Sequence, residues 1–125
     1  MGTTAIEDLH GEMLANRHHL HQHPELAFDE HATSDFVADR LTGWGYEVTR
    51  GIGQTGLVAT LRCGGGARRI GLRADMDALP IHEQTGLDYA SRTAGVMHAC
   101  GHDGHTAMLL GAAQHLARRD RKSVV

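Results

Sequence analysis

The stretch Gly95-Val-Met-His-Ala-Cys-Gly-His-Asp-Gly-His-Thr-Ala-Met-Leu-Leu-Gly-Ala-Ala113 decides how this chain folds and what it can bind. From His98 to His105 it holds one thiol, three imidazoles and one carboxylate, with glycines between them. Thiolate and imidazole are ligands that zinc and similar metals prefer in proteins. The density of these groups indicates a metal site, although a polar loop whose groups satisfy one another would account for the same residues.

Cys100 and His102 are the strongest ligand candidates in this stretch. Side chains two positions apart point about 200° away from each other on a helix, but they share one face of an extended segment. If both bind the same ion, they must therefore lie in a loop or at the end of a strand. A disulfide between Cys63 and Cys100 is an alternative use of the thiol, although two cysteines are too few for a disulfide framework.

The apolar segment that follows these candidates predicts a helix. Met108, Ala112 and Leu116 recur at every fourth position, with other apolar residues beside them. This pattern is typical of a helix that is buried on most sides, and Thr106 is a suitable N-cap. The candidate ligands are thus predicted to lie at a loop-to-helix junction.

Length and composition limit the classes of protein that this chain can represent. At 125 residues, with 41% hydrophobic and 22% charged residues, it matches one globular domain. A net charge of -3 gives no sign of nucleic-acid or membrane binding, and no apolar run approaches the roughly 20 residues of a membrane span. Because no signal or targeting segment is present at the N-terminus, we expect a cytoplasmic location.

Two helices are predicted before the glycine-rich middle of the chain. The first runs from about residue 4 to 21 and ends near Pro24, since the residue before a proline is disfavoured in helices. Its apolar positions are Ile6, Leu9, Met13, Leu14 and Leu20. The second opens at Asp29 or Thr33 and runs to about Thr42. Its predicted buried residues are Phe28, Phe36, Val37 and Leu41.

Three short strands are predicted next, over residues 46–50, 57–63 and 69–74. Glycine-rich turns at 51–56 and 64–66 would connect them, and residues 81–93 read as an irregular connection. Helices followed by adjoining strands and then a buried helix predict an α/β domain with a mixed sheet.

Two further groups of polar residues are open to two interpretations. Residues 17–25 are dense in histidine, which fits either a functional site or a polar helix end where positive charge is favoured. Asp75 and Asp77 follow the third predicted strand and share one face of an extended segment. They fit an acidic turn before Pro80, or carboxylates that orient the imidazoles of a metal site.

Three blocks of sequence carry a family resemblance: residues 20–26, 71–81 and 95–105. Together they resemble the N-terminal part of the M20-type metal-dependent amidohydrolases, which have a zinc-peptidase-like catalytic domain. The most similar branch contains hippurate hydrolases, auxin-conjugate hydrolases and N-acetyl-diaminopimelate deacetylases. The resemblance runs from about residue 6 to residue 117 and implies that residues 1–119 are an incomplete part of the catalytic domain.

The resemblance implies roles for particular residues. Cys100 and His102 match two metal ligands of a site that holds two divalent ions, of Zn, Mn, Co or Ni. Asp77 matches a carboxylate that supports the site, and Asp75, Asp103 and His105 are candidates for the surrounding shell. The substrate would be an N-acyl or N-aroyl amino acid, and the partner a second subunit bound through a lid domain.

The same resemblance predicts that this chain is inactive alone. The family's general-base glutamate, a neighbouring glutamate ligand and two further histidine ligands match nothing in these residues, and the last glutamate here is Glu83. Glu83 or Asp103 could substitute as the base. The alternative to an enzyme is a non-catalytic lobe with weak metal binding or none.

The last six residues, 120–125, are predicted to be a tail outside the family pattern. Asp-Arg-Lys-Ser-Val-Val can be encoded by GATCGGAAGAGCGTCGTG, which matches a common sequencing adapter that continues with a stop codon. We therefore expect the tail to be adapter read-through, the alternative being a genuine short tail created by a frameshift or a natural truncation.

Overall fold

The computed structural model describes residues 6–123, with side chains described as far as Arg119. Its elements, in chain order, are α1 (His10–Gln22), α2 (His31–Gly43), β1 (Glu47–Ile52), β2 (Gly56–Thr60) and α3 (His102–Ser123). The predicted α/β class and the two N-terminal helices are confirmed. Among the described residues, no helix has the length and apolar character needed to span a membrane.

The core forms where α2 and α3 meet the strands. Val37 and Leu41, four residues apart on α2, share a face and pack against Leu110 and Ala113 of α3. Tyr46 closes one side of this core, because its hydroxyl donates a 2.7 Å hydrogen bond to the Ala113 carbonyl oxygen. Partly buried apolar residues of the strands cover the core, namely Val48, Leu57 and Ala59.

Helix α1 packs against α3, and a glycine allows the close approach. A Cβ atom at Gly111 would lie 2.6 Å from the Met13 sulfur, so a larger residue would force the Met13 side chain to move. Leu9 and Leu20 are buried as predicted, whereas Leu14 is 43% exposed, contrary to the prediction. The predicted start of this helix, at residues 4–5, lies outside the described residues.

The second predicted helix needs one correction. It begins at His31 and buries Val37 and Leu41, but Phe28 lies before it and is 60% exposed. Phe28 has a backbone φ of 67°, so the chain turns at this residue and the ring cannot continue the apolar stripe of the helix.

The strands form an antiparallel hairpin, with Glu47 opposite Thr60 and Ile52 opposite Gly56. The predicted turn at 51–56 is confirmed. The third predicted strand is wrong: residues 69–74 form no strand, and Ile70 is 89% exposed. The sheet is therefore an antiparallel pair instead of a mixed sheet, and residues 64–66 connect no hairpin. A strand needs a neighbouring backbone to pair with, and no described segment lies beside residues 69–74 as a ladder partner.

Helix α3 also differs from its prediction. It is buried along one face, where α1 and α2 contact it, while Met108 and Leu116 are 56% and 44% exposed. The predicted burial on most sides is therefore wrong for the described residues. The helix begins at His102, before the predicted start, so Thr106 lies inside it instead of at its N-cap.

Candidate metal centre

Asp75, His102 and His105 come together at the start of α3. One potential ligand atom from each of the three lies within 4.8 Å of the others. The two histidines are three residues apart on the helix and so share a face. Asp75 reaches them from the extended segment before Pro80. The predicted junction of loop and helix therefore does gather metal-binding groups, and we call these three residues the metal-facing cluster.

His102 is held in the orientation that a ligating imidazole needs. Its Nδ1 lies 2.8 Å from Asp77 Oδ1 and 3.0 Å from the Asp77 carbonyl oxygen, so the Nδ1 proton is donated there. Its Nε2 lies 3.3 Å from Asp75 Oδ2. A carboxylate that accepts the proton of one ring nitrogen fixes the tautomer and leaves the other nitrogen for a metal.

Asp75 contacts both histidines of the cluster. Its Oδ1 lies 2.7 Å from His105 Nδ1, and its carbonyl oxygen accepts a 2.8 Å hydrogen bond from Thr106 Oγ1. The hydrogen bond from His105 lowers the pKa of the Asp75 carboxyl, partly opposed by burial and aided by the positive field of His102. The carboxyl is thus ionised at neutral pH, as a metal ligand must be.

The donor set fits a divalent transition metal. Two imidazoles and one carboxylate are ligands that zinc and its neighbours accept, and catalytic zinc sites use three protein ligands. His105 and Asp75 remain 49% and 32% exposed at their side chains, so a solvent ion can reach them. The structure brings together three of the predicted residues, with Asp77 behind His102.

Cys100 lies in the loop immediately before the helix and is exposed. It forms no disulfide with Cys63, so that alternative is not realised. Gly101 makes the turn into the helix: its φ is 84°, a conformation that favours glycine, and its carbonyl oxygen accepts the first helical hydrogen bond from His105 N at 3.0 Å. Cys100 is not one of the three clustered residues, although the chain brings it to within two positions of His102.

Asp103 points to the other side of α3, into a group that we call the buried clamp: Arg17, His21, Glu83 and Asp103. Asp103 Oδ2 lies 2.8 Å from His21 Nδ1 and 3.3 Å from Arg17 Nε. His21 Nε2 lies 3.0 Å from Glu83 Oε1. Side-chain exposure of His21, Glu83 and Asp103 is only 2–4%. The structure therefore places Asp103 away from the metal-facing cluster.

Glu83 is the member of the clamp with the most hydrogen bonds. Burial alone would raise its pKa, but hydrogen bonds from Thr85 Oγ1, Ser91 N and His21 outweigh burial and lower the pKa of this carboxyl. The carboxylate is therefore ionised, with its oxygens occupied by these donors. Sequence reasoning missed this role, since a lone glutamate in an irregular segment gives no signal of its own.

His98 lies buried near the clamp, with 5% exposure and its ring centroid 6.5 Å from that of His21. Neither of its ring nitrogens has a hydrogen-bond partner among the described residues. Burial lowers the pKa of His98, opposed by the charge of Asp103. Burial therefore favours the neutral form of His98.

Comparison with known proteins finds similar sequences among hydrolases. Residues 71–124 match the model of peptidase family M20/M25/M40. The chain is 54% identical to the hippurate hydrolase of Campylobacter jejuni, over 92% of this chain and 30% of that protein. It is 47% identical to an N-acyl-L-amino acid amidohydrolase of Geobacillus stearothermophilus, over 87% of this chain and 30% of that protein.

A solved structure is also similar: the YXEP protein of Bacillus subtilis, described as a dinuclear metal binding peptidase from the M20 family. The TM-score is 0.85 at 40% identity, covering 91% of this chain and 32% of that one. The chain thus spans about 30% of the length of the curated relatives that it matches. The chain is therefore similar in sequence to the M20 peptidase family over residues 71–124 and similar in fold to a solved member of that family.

Proposed function

We propose that the protein containing these residues hydrolyses the amide bond of N-acyl and N-aroyl amino acids. The observation that carries the proposal is the geometry of His102, whose Nδ1 is held by Asp77 while its Nε2 faces Asp75. This arrangement prepares an imidazole to bind a metal. Relatives called hippurate hydrolase and N-acyl-L-amino acid amidohydrolase support the substrate class.

The chain's own residues would act as ligands and as supports. His102 and Asp75 would bind metal with His105 beside them, and Asp77 would fix the His102 tautomer. Cys100 would add a thiolate from the loop. When bound, a pair of divalent ions polarises the amide carbonyl and lowers the pKa of a water. We propose two ions, of Zn, Mn, Co or Ni.

Neither Glu83 nor Asp103, the two carboxylates that could replace the family's glutamate, is free to act as the general base for the water. Glu83 and Asp103 are both held in the buried clamp, where their oxygens are hydrogen-bonded to His21 and, for Glu83, to Thr85 and Ser91. A base must come within hydrogen-bond reach of the water, about 2.6–3.2 Å. We therefore expect no amidase activity from these 125 residues alone.

We also propose that the complete protein works in the cytoplasm as a homodimer with a lid domain.

A non-catalytic lobe with weak metal binding is the second candidate. It is favoured by one observation: the three clustered residues do not include Cys100. Three ligands without a thiolate, one of them half-exposed, would hold zinc less tightly than the complete set of a structural site. The two candidates agree on the position of the site and differ in its affinity and chemistry.

A metal titration tests the site. Zn²⁺ is titrated into this chain, into His102→Ala and into a control, His115→Ala, which removes an imidazole farther along the same helix. We expect His102→Ala to lose at least the roughly 10- to 100-fold in affinity that even a supporting group contributes, while the control stays unchanged. Equal affinity of His102→Ala and the unaltered chain would refute the metal centre.

A Cys100→Ala variant then separates the two candidates. We expect it to bind Zn²⁺ more weakly, since the thiolate would add a ligand to the three clustered residues. Hippurate and N-acetyl amino acids are offered to this chain and to a longer protein that contains it. Turnover by the longer protein alone, abolished by a chelator, supports the amidohydrolase; no turnover by either supports the non-catalytic lobe.

A further inference from the structure

The buried clamp contains a histidine whose two ring nitrogens both face carboxylates. His21 Nδ1 lies 2.8 Å from Asp103 Oδ2, and His21 Nε2 lies 3.0 Å from Glu83 Oε1. His21 thus bridges the two carboxylates, and Arg17 Nε lies 3.3 Å from the same Asp103 oxygen that His21 contacts.

The clamp matters because one of its carboxylates, Asp103, lies next to His102 in the chain. Asp103 directly follows His102 in the first turn of α3, and successive helical residues point about 100° apart. When the Asp103 side chain is fixed by its contact with His21, the His102 side chain points toward Asp77 and Asp75. Fixing one side chain of this turn therefore fixes the direction of the other.

Glu83 anchors the other end of the same region. It lies in the irregular connection between Pro80 and the loop, and its carboxylate accepts a 2.9 Å hydrogen bond from Ser91 N. The connection is also tied to α1 where Arg92 N donates to the Gln22 carbonyl oxygen at 2.9 Å. The segment leading into the loop at 98–102 thus rests on α1, with His21 in the middle of the contact.

We propose that His21 is a positioning residue for the metal centre, holding Asp103 and Glu83 together so that His102 meets its carboxylate partners. This inference rests on the function proposed above. His21 is not one of the three residues of the metal-facing cluster, and its ring contacts Asp103 and Glu83 instead. Its role is to fix the first turn of α3 and the loop before it.

The test uses three variants of this chain. His21→Leu removes both ring nitrogens at similar volume, and His21→Gln keeps an amide donor for one carboxylate. His10→Leu is the control, since it removes an exposed imidazole from the same helix. The His21→Gln variant keeps the test decisive if His21→Leu does not fold.

The first measurement is amide hydrogen exchange of the metal-free protein. We expect the His105 amide, which closes the first helical turn on Gly101, to exchange about 10-fold faster in His21→Leu, with His21→Gln intermediate. The amides of β1 and β2 report any global loss of stability, and their acceleration should be smaller than that of the His105 amide. Unchanged exchange at His105, or equal acceleration in the strands, would overturn the proposal, because the second outcome is a global loss of stability.

The second measurement is Co²⁺ binding followed by visible absorption. We expect His21→Leu to weaken Co²⁺ affinity about 10-fold and to broaden the ligand-field bands, as loss of a supporting group does. Affinity and bands identical to the unaltered chain would overturn the proposal. If the unaltered chain and His102→Ala take up Co²⁺ equally, the metal centre itself is wrong, and the exchange experiment still decides the role of His21.

Discussion

The first turn of α3 serves two carboxylate–imidazole groups that differ mainly in their contact with water. In the metal-facing cluster, the side chains of His102, Asp75 and His105 are 16%, 32% and 49% exposed. In the buried clamp, those of His21 and Asp103 are 4% and 2% exposed. The same pair of chemical groups therefore occurs once as an open site and once as an internal support.

The difference in burial decides what each group can do. Two charges removed from water are costly unless each is paired and hydrogen-bonded, so the clamp must stay closed to be tolerated. Charges near the surface lose little when a partner is absent, because water solvates them. An exposed pair can therefore exchange its partner for a metal, whereas a buried pair contributes mainly to position and stability.

The largest expected effect comes from opening the clamp. Asp103→Ala removes the buried carboxylate that His21 and Arg17 both contact, and should cost about 3–5 kcal/mol of unfolding free energy. Asp75→Ala removes a carboxylate from the open cluster and should cost less than about 1 kcal/mol. Urea unfolding at pH 7 measures both.

Asp39→Ala, at an exposed position of α2, is the control for loss of an aspartate from a helix. It should change the free energy of unfolding by no more than about 0.5 kcal/mol. Equal costs for Asp103→Ala and Asp75→Ala would remove the distinction between the clamp and the cluster.

The second effect concerns metal affinity, and here we expect the larger loss from a change beside the metal-facing cluster instead of in the clamp. Asp77→Ala removes the carboxylate behind His102, and such losses cost roughly 10- to 100-fold in metal affinity. We expect about 10-fold here, at the low end of that range, because the Asp77 carbonyl oxygen, 3.0 Å from His102 Nδ1, can still accept its proton. Competition titration with Zn²⁺ and a chromophoric chelator measures the change.

Asp88→Ala, another exposed aspartate, should leave Zn²⁺ affinity unchanged. A loss in Asp77→Ala no greater than in this control would show that the carboxylate does not orient His102.

Local pattern in the sequence indicated candidates for the metal-facing cluster, although the strongest of them, Cys100, is not among the three clustered residues. It did not indicate the clamp. Spacing alone placed Cys100 and His102 at the junction of loop and helix, because i, i+2 geometry and Gly101 restrict the backbone there. Asp75 and Asp77 followed from the same alternation. The clamp joins residues 62 and 82 positions apart, and no local periodicity encodes such a pairing.

The predictions of a third strand and of burial on most sides of α3 failed, because both depend on which segments pack alongside. The apolar alternation of Ile70 and Leu72 is typical of a strand, but no described segment pairs with it, and both side chains are exposed. Met108 and Leu116 repeat at helical spacing, yet α1 and α2 cover the adjacent face of α3. A sequence pattern gives the face that could be buried, and only tertiary contacts decide whether it is.

The smallest expected effect is a pH dependence of the free energy of unfolding, which tests whether burial holds His98 neutral as it closes the clamp to water. Burial holds its pKa below the ordinary value of 6.5, against the opposing charges of Asp103 and Asp77 and with the aid of His21 and His102. Between the lowered pKa and 6.5, the unfolded chain binds a proton that the folded chain does not. The free energy of unfolding must therefore fall as the pH is lowered through this window.

One such proton gives a slope of at most about 1.4 kcal/mol per pH unit. Urea unfolding at steps between pH 7.5 and 5 measures the slope in the unaltered chain and in His98→Leu. The lowered pKa of His19, caused by burial and then by His23 and Arg40, adds a slope of the same sign to both proteins, so the difference between them isolates His98. We expect the unaltered chain to lose stability more steeply below pH 6.5. Parallel curves would mean that His98 can be protonated in the folded state. Its ring would then be accessible to water, as the imidazoles of the metal-facing cluster are.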